Sequence, residues 1–250
     1  MSKKRVIPIF TYKGNVLVKS IKYESYRNVN SIIPVIKLFN RRSVDEMIFL
    51  NLNDKEIDYN LLKTFVNEVD YPITYGGGIN DIDDMRKIYN LGFDKICLNS
   101  VLYKDKEFSK TACDIFGKQS IVASIDVKKI NGQFFCFYGN GKINTNITIQ
   151  EHVESIIKND SISEIIVTDI DKDGTLEGFN SDLYYLLKDY NIRTIINGGG
   201  NYDERNIIDC INIKNVYGVC FSSLFFFKKH TPNDIKQLLV KNGITCSNPF

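Results

Sequence analysis

The sequence predicts an α/β fold, a single (β/α)8 TIM barrel over residues 1–250 built from two half-barrel repeats, and three observations carry that expectation. A glycine triplet occurs twice, in Pro72-Ile73-Thr74-Tyr75-Gly76-Gly77-Gly78 and in Thr194-Ile195-Ile196-Asn197-Gly198-Gly199-Gly200. Each copy closes a short apolar run, and just over twenty residues later a second run ends in Asn99-Ser100 or Ser222-Ser223. The doubling then extends in order along the chain. Val6-Ile7-Pro8-Ile9-Phe10-Thr11-Tyr12-Lys13 parallels Ile121-Val122-Ala123-Ser124-Ile125-Asp126-Val127-Lys128, and Asp45-Glu46-Met47-Ile48-Phe49-Leu50-Asn51 parallels Ser163-Glu164-Ile165-Ile166-Val167-Thr168-Asp169. The offset drifts from 115 residues at Thr11/Asp126 to 123 at Ser100/Ser223, so the repeat is half a domain and not a solenoid unit. Finally, eight strand-then-helix units alternate along the chain, the pattern of a closed parallel barrel.

The strands are expected near residues 5–10, 46–51, 71–75, 95–98, 121–126, 164–169, 193–197 and 218–221. Between them, residues 81–92 place Ile82, Met85, Ile88 and Leu91 at helical spacing. Residues 60–69 and 31–39 read the same way, the latter with Pro34 tolerable only in a first turn. Two connections are longer. Residues 12–30 form an extended first connection carrying Lys13, Lys19, Lys22, Tyr23, Tyr26 and Arg27, read as a lid or as a disordered surface loop. Residues 129–142 contain Asn131-Gly132, a strong hairpin turn, flanked by Gln133-Phe134-Phe135-Cys136-Phe137-Tyr138; a β-hairpin is expected after strand five.

Composition narrows the class. With 43% apolar and 25% charged residues over 250, the chain matches an ordinary globular domain. A net charge of +2 gives no reason to invoke nucleic acid or a membrane, and the basic start Ser2-Lys3-Lys4-Arg5 reads as solvated or locally paired. No apolar run has membrane-spanning length and the N-terminus lacks a signal-peptide core, so a cytoplasmic protein is expected. The six cysteines have no CxxC spacing and only His152 and His230 are present; neither a disulfide, a metal site nor a cofactor is indicated.

In a barrel of this kind the chemistry belongs at the C-terminal strand ends. Glycines there let backbone N–H groups approach an anion, so each triplet with its following Asn-Ser or Ser-Ser pair reads as a phosphate cradle: Gly77, Gly78, Asn99 and Ser100 in one half, Gly198, Gly199, Ser222 and Ser223 in the other. Asp126 ends an apolar strand, where an ionised carboxylate is costly unless paired or employed. It reads as a general acid/base, the alternative being a salt bridge to Lys128 or Lys172. Asp169-Ile170-Asp171-Lys172-Asp173-Gly174-Thr175 begins like a calcium loop, but Asn180 stands where its final glutamate belongs. It is read as a turn whose Asp173 and Gly174 help hold a phosphate. Lys19 is the first-loop residue expected to touch substrate.

Along nearly its whole length the chain resembles the cyclase subunit of imidazole glycerol phosphate synthase, the HisF-type barrel. The matching stretches are Arg5-Val6-Ile7-Pro8, Val18-Lys19, Val44-Asp45-Glu46-Met47-Ile48-Phe49-Leu50, Gly76-Gly77-Gly78-Ile79, Asp94-Lys95-Ile96, Asn99-Ser100, Ser124-Ile125-Asp126, Thr168 through the Asp173-Gly174-Thr175 turn, Gly198-Gly199 and Ser222-Ser223. The resemblance implies a lyase-type synthase subunit of a glutamine amidotransferase. A HisH-type glutaminase partner would dock at the N-terminal barrel face, and its ammonia would pass through the barrel to a phosphorylated substrate at the other face. It also implies an ammonia gate of alternating charges, matched by Arg5, Glu46, Lys95 and Glu164. No cysteine here sits in a Gly-x-Cys-x-Gly elbow, so ammonia, if used, is made by another subunit.

One departure matters. The family's acid/base pair is an aspartate ending strand one and another ending strand five; the second is Asp126, but Thr11 stands for the first, and Asn51 replaces a further aspartate at strand two. Threonine cannot ionise near neutral pH. The resemblance therefore points to a paralogue that keeps ammonia delivery for another substrate, as HisF-like barrels do in amidine formation for bacterial surface-glycan biosynthesis. A sugar-phosphate isomerase of the sister HisA type and a scaffold that only activates its glutaminase are the alternatives. The residue opposite Asp126 is left open among Thr11, Lys13, Lys19 and a substrate group.

Overall fold

The structure, a computed structural model, describes residues 3–53 and 56–247. The expected domain limits at residues 1 and 250, and Ser2 of the basic start, lie outside the described residues. Eight strands form the barrel: β1 (Arg5–Lys13), β4 (Met47–Asn51), β5 (Ile73–Gly76), β6 (Lys95–Leu98), β7 (Ile121–Ile130), β10 (Glu164–Asp169), β11 (Arg193–Asn197) and β12 (Val216–Phe221). Every neighbouring pair is parallel, and β12 returns to β1, so the sheet closes.

The helices form where the apolar spacing places them. In α3 (Ile82–Leu91) the Asp81 side chain accepts from the Asp84 N–H at the start, and Gly92 ends it at φ 113°. The packed face carries Met85 and Ile88. Pro34 lies in the first turn of α1 (Ile32–Phe39), where it interrupts no helical hydrogen bond. Between the helices and the outer wall of the strands lies the larger apolar cluster, with Phe10, Phe49 and Phe65 among its fully buried rings. Among the described residues no helix is long and apolar enough to cross a membrane.

The inner wall follows from strand periodicity. Side chains alternate across a strand, so residues two apart share a face. Ile7, Ile9, Ile48, Cys97, Val122, Ile166, Ile195 and Cys220 form a second, smaller cluster filling the axis, with Leu50 packed against it. Stepping two residues down from these positions reaches Arg5, Glu46, Lys95 and Glu164. Stepping up reaches Thr11, Asn99, Ser124, Asp126, Thr168 and Ser222. Charged floor and polar mouth are thus opposite ends of one inward-facing set, separated by about 20 Å of strand.

Both halves carry an antiparallel extension after their first strand. β7 runs past the rim and folds back at Asn131-Gly132 into β8 (Gln133–Tyr138), and β9 (Ile143–Thr148) adds a third strand beyond the range expected for the hairpin. The first connection is not a disordered loop. It is a hairpin of β2 (Val16–Ile21) and β3 (Glu24–Ser31), with β2 paired to the end of β1. The repeat therefore includes both excursions, each leading directly into a helix, α1 or α6 (Ile149–Asn159).

Candidate functional site

The mouth of the barrel opens into a cavity of about 380 Å³. It brings together Thr11, Lys19, Gly77, Gly78, Asn99, Ser100, Asp126, Asp173, Ser222 and Ser223, all expected site residues, along with Tyr23 and Lys104. Gly174, Gly198 and Gly199 are absent from its lining and sit behind it in turns; Lys13 is exposed and also outside it.

The glycine turns are shaped by contact with a neighbouring strand end. Gly77 has φ 99°, and a Cβ there would lie 2.2 Å from the Asn51 carbonyl oxygen. Gly198 has φ 91°, with a Cβ position 2.5 Å from the Asp169 carbonyl oxygen. Since Asn51 ends β4 and Asp169 ends β10, Gly77 is the counterpart of Gly198, and Gly78 of Gly199. The two triplets are therefore staggered by one residue, in keeping with the pairing of Gly77 and Gly78 with Gly198 and Gly199: Gly76 corresponds to Asn197, each the last residue of its strand. Short helical turns α4 (Ser100–Lys104) and α9 (Ser223–Phe227) follow Asn99 and Ser222.

Asp126 is 7% exposed. Its Oδ1 accepts from the Tyr23 hydroxyl at 3.1 Å, and its Oδ2 from the Asn99 side-chain amide at 2.8 Å. Neither Lys128 nor Lys172 pairs with it: Lys128 lies over the Phe137 ring, and Lys172 binds Glu177 at 2.8 Å. Burial lifts the Asp126 carboxyl to about 7, against the pull of the Tyr23 and Asn99 donors. Burial likewise lifts Asp173 to about 6 although Lys19 opposes it, and lowers Lys19 to about 8 although Asp173 opposes that. An acid, a base and an ammonium that exchange protons near neutrality thus share one mouth.

Thr11 and Lys19 are held internally. The Thr11 hydroxyl donates to the Val18 carbonyl at 2.7 Å, tying β1 to the hairpin. The Lys19 ammonium donates to the Ser222 hydroxyl and, at 3.5 Å, to the Ile9 carbonyl. Asn51 shapes a turn: its amide donates to the Glu56 carbonyl and the Tyr75 hydroxyl, both at 3.2 Å, while its oxygen accepts from the Asn53 N–H at 2.9 Å. Tyr23 is the residue that sequence reasoning passed over. It was visible only as one of several polar residues in the first connection, because no periodicity there signals which one turns inward.

At the floor, Arg5 binds Glu46 and Glu164, and Lys95 binds the same two carboxylates at 3.3 and 3.2 Å. The four form a closed ring of alternating sign. The Thr74 hydroxyl adds a bond to Glu46 at 2.7 Å. Burial raises Glu46, but Arg5 and Lys95 outweigh it and hold the carboxyl below its ordinary value.

Comparison with known proteins agrees with this architecture. A family model described as histidine biosynthesis protein matches residues 5–231. Over 247 residues the chain is 33% identical to a Campylobacter jejuni protein provisionally named imidazole glycerol phosphate synthase subunit hisF2, covering 97% of this chain and 98% of that one. It is 31% identical over 252 residues to imidazole glycerol phosphate synthase subunit HisF of Staphylococcus saprophyticus, covering 98% and 99% of the two. The HisF subunit of Chlorobium luteolum is 29% identical over 251 residues, again with 98% and 99% covered. A barrel doubled down to its glycine turns, matched from end to end by these subunits, makes the chain a HisF-type member of the histidine biosynthesis protein family.

Proposed function

We propose that the chain is the synthase subunit of a HisF-type glutamine amidotransferase, adding ammonia from a glutaminase partner to a phosphorylated sugar-type substrate. The observation that carries this reading is the single inward face that has the charged ring at one end and Asp126 at the other, joined by an apolar axis. Ammonia entering through the ring meets a substrate whose phosphates rest on Gly77, Gly78, Asn99 and Ser100 and on Asp173, Ser222 and Ser223, all of which line the cavity, while Gly174, Gly198 and Gly199 shape the turns beside them. Nitrogen attacks an electrophilic carbon held over Asp126. The carboxylate takes up the proton that nitrogen releases, a role its value of about 7 suits. Lys19, next to Asp173, supplies positive charge where oxygen of the substrate becomes negative.

Thr11 selects among substrates. The hydroxyl faces the cavity where the family has a second carboxylate, and it is committed to Val18. With half of the acid/base pair missing, histidine-pathway cyclisation loses roughly 10²–10⁴-fold in rate, and amidine formation in surface-glycan biosynthesis is the better reading. The first test is complementation of a histidine auxotroph lacking its cyclase: no growth is expected, and robust growth refutes the assignment based on Thr11. The second is mass spectrometry of products from the purified chain with ammonium salt and candidate phosphosugars or nucleotide sugars. A nitrogen-containing product that requires ammonium supports the reading, conversion without ammonia indicates an isomerase, and unchanged activity in Asp126→Asn complexes indicates a scaffold.

A further inference from the structure

Tyr23 occupies the crest of the β2–β3 hairpin, where Lys22 and Tyr23 have φ of 56° and 62°. Two successive left-handed residues are what a two-residue hairpin turn needs, but Asn-Gly meets that need easily and a lysine–tyrosine pair only under strain. Strain of this kind persists where surrounding structure over-determines it, and here two segments do so through three contacts. The Lys22 N–H donates to the Asp173 carbonyl at 2.9 Å. The Ser20 carbonyl oxygen presses on Gly174, where a Cβ would come within 2.1 Å. The Tyr23 ring packs on Gly141 of the second hairpin, 2.9 Å from where a Cβ would stand. Both hairpins and the loop after β10 therefore converge to aim one phenol, whose hydroxyl meets Asp126 at 3.1 Å.

We propose that Tyr23 is the positioning residue for Asp126, orienting the carboxylate and setting where it ionises. This rests on the reading of Asp126 as the acid/base group. Asn99 holds Oδ2 at 2.8 Å, so the phenol fixes the other oxygen, Oδ1, at 3.1 Å. The Thr11 hydroxyl is spent on Val18, the Lys19 ammonium on Ser222 and Ile9, and Lys13 is exposed away from the cavity. The groups facing Asp126 from the packed elements are Tyr23 and Asn99 as donors, Thr168 on β10, Asp173 on the following loop, Cys97 on β6, Cys136 on β8 and Tyr103 on α4. Asp173 repels the ionised form, and the Lys19 ammonium in the same cavity is turned to Ser222. The phenol donates to the charged form of Asp126, so it opposes burial and keeps the group near neutrality.

The test titrates Asp126 directly, by 13C NMR of the carboxyl carbon in the full chain with labelled aspartate, Asp126→Asn identifying the resonance. Tyr23→Phe removes only the hydroxyl. The Asp126 midpoint is expected to move upward by roughly one to two pH units, the worth of a hydrogen bond to a charged group. A midpoint within about 0.3 unit of the parent overturns the proposal. A second variant, Lys22→Asn with Tyr23→Gly, installs a turn pair that accepts the left-handed conformation. Removing the whole ring also opens Asp126 to water, which lowers its midpoint, so its midpoint is expected to lie below that of Tyr23→Phe; a midpoint within about 0.3 unit of the parent in both variants overturns the proposal. Because these titrations use no substrate, their outcome is separable from the function. If the parent protein makes no product with any ammonium-supplied substrate, the amidotransferase reading falls and the NMR result stands by itself. If it does, the limb of its pH–rate profile assigned to Asp126 is expected to shift with the NMR midpoint in Tyr23→Phe.

Discussion

Asp126 is held at a cost to the fold. Its carboxyl titrates near 7 in the folded chain and near its ordinary value of about 3.9 when unfolded, so between those values the folded state binds more protons. Stability therefore falls as pH rises from about 4 to about 7, and remains lower above that. Asp126→Asn removes the charge without removing the shape. We expect the variant to be more stable than the parent at pH 8, by about 2 kcal/mol after allowing for an imperfect amide fit to two donors, with the difference closing near pH 4. Thermal melts across that range check it. Turnover should drop by at least about 10²-fold in the same variant. An Asn variant less stable at every pH would mean that the carboxylate is a structural acceptor and not a strained functional group. Thr11 makes the complementary case. Thr11→Asp sets a carboxylate against the Val18 carbonyl that the threonine hydroxyl now satisfies, and should cost about 1–3 kcal/mol in a melt at pH 7.

Among the elements, the glycine turns and the two hairpins separate what sequence can reveal from what it cannot. Gly77→Ala adds a Cβ 2.2 Å from the Asn51 carbonyl in a backbone that already disfavours it. It should cost about 3 kcal/mol or more. Gly14→Ala, at φ 58° with nothing within 4 Å, carries only the conformational penalty of about 1 kcal/mol. Denaturant midpoints for the pair isolate the close approach. The strands and their glycine turns were legible because buried parallel strands are apolar runs and their turns are punctuated by glycine. The hairpin at β8 was legible through Asn131-Gly132. The equivalent hairpin at β2–β3 was hidden because Lys22-Tyr23 is no turn signature and Glu24–Ser31 is almost wholly exposed, leaving no alternation to read. The site residue on that turn was hidden with it.

At the scale of the molecule, the floor of the barrel is a buried charge network whose balance bears on stability. Glu46 and Glu164 have side chains only 5% and 3% exposed, and each is neutralised by both Arg5 and Lys95. Arg5→Met leaves two buried carboxylates with Lys95 and, for Glu164, a longer contact to Arg193 at 3.7 Å, and breaking a buried network in this way costs about 3 kcal/mol. The pH dependence follows from Glu46, whose folded value is depressed chiefly because Arg5 and Lys95 overcome the effect of burial. Its contribution is present above the unfolded value of about 4.5 and is lost as pH falls through the folded one, so the deficit of Arg5→Met should be largest at neutral pH and shrink in acid. Replacing all four members together by Met and Gln should restore much of the lost stability, since no charge is then left unpaired. That fourfold variant separates scaffold from gate. If the ring admits ammonia from a glutaminase, the variant should keep turnover supported by added ammonium while losing control over turnover supported by glutamine. If both activities survive unchanged in a folded protein, the ring serves only to close the barrel and ammonia reaches Asp126 by another path.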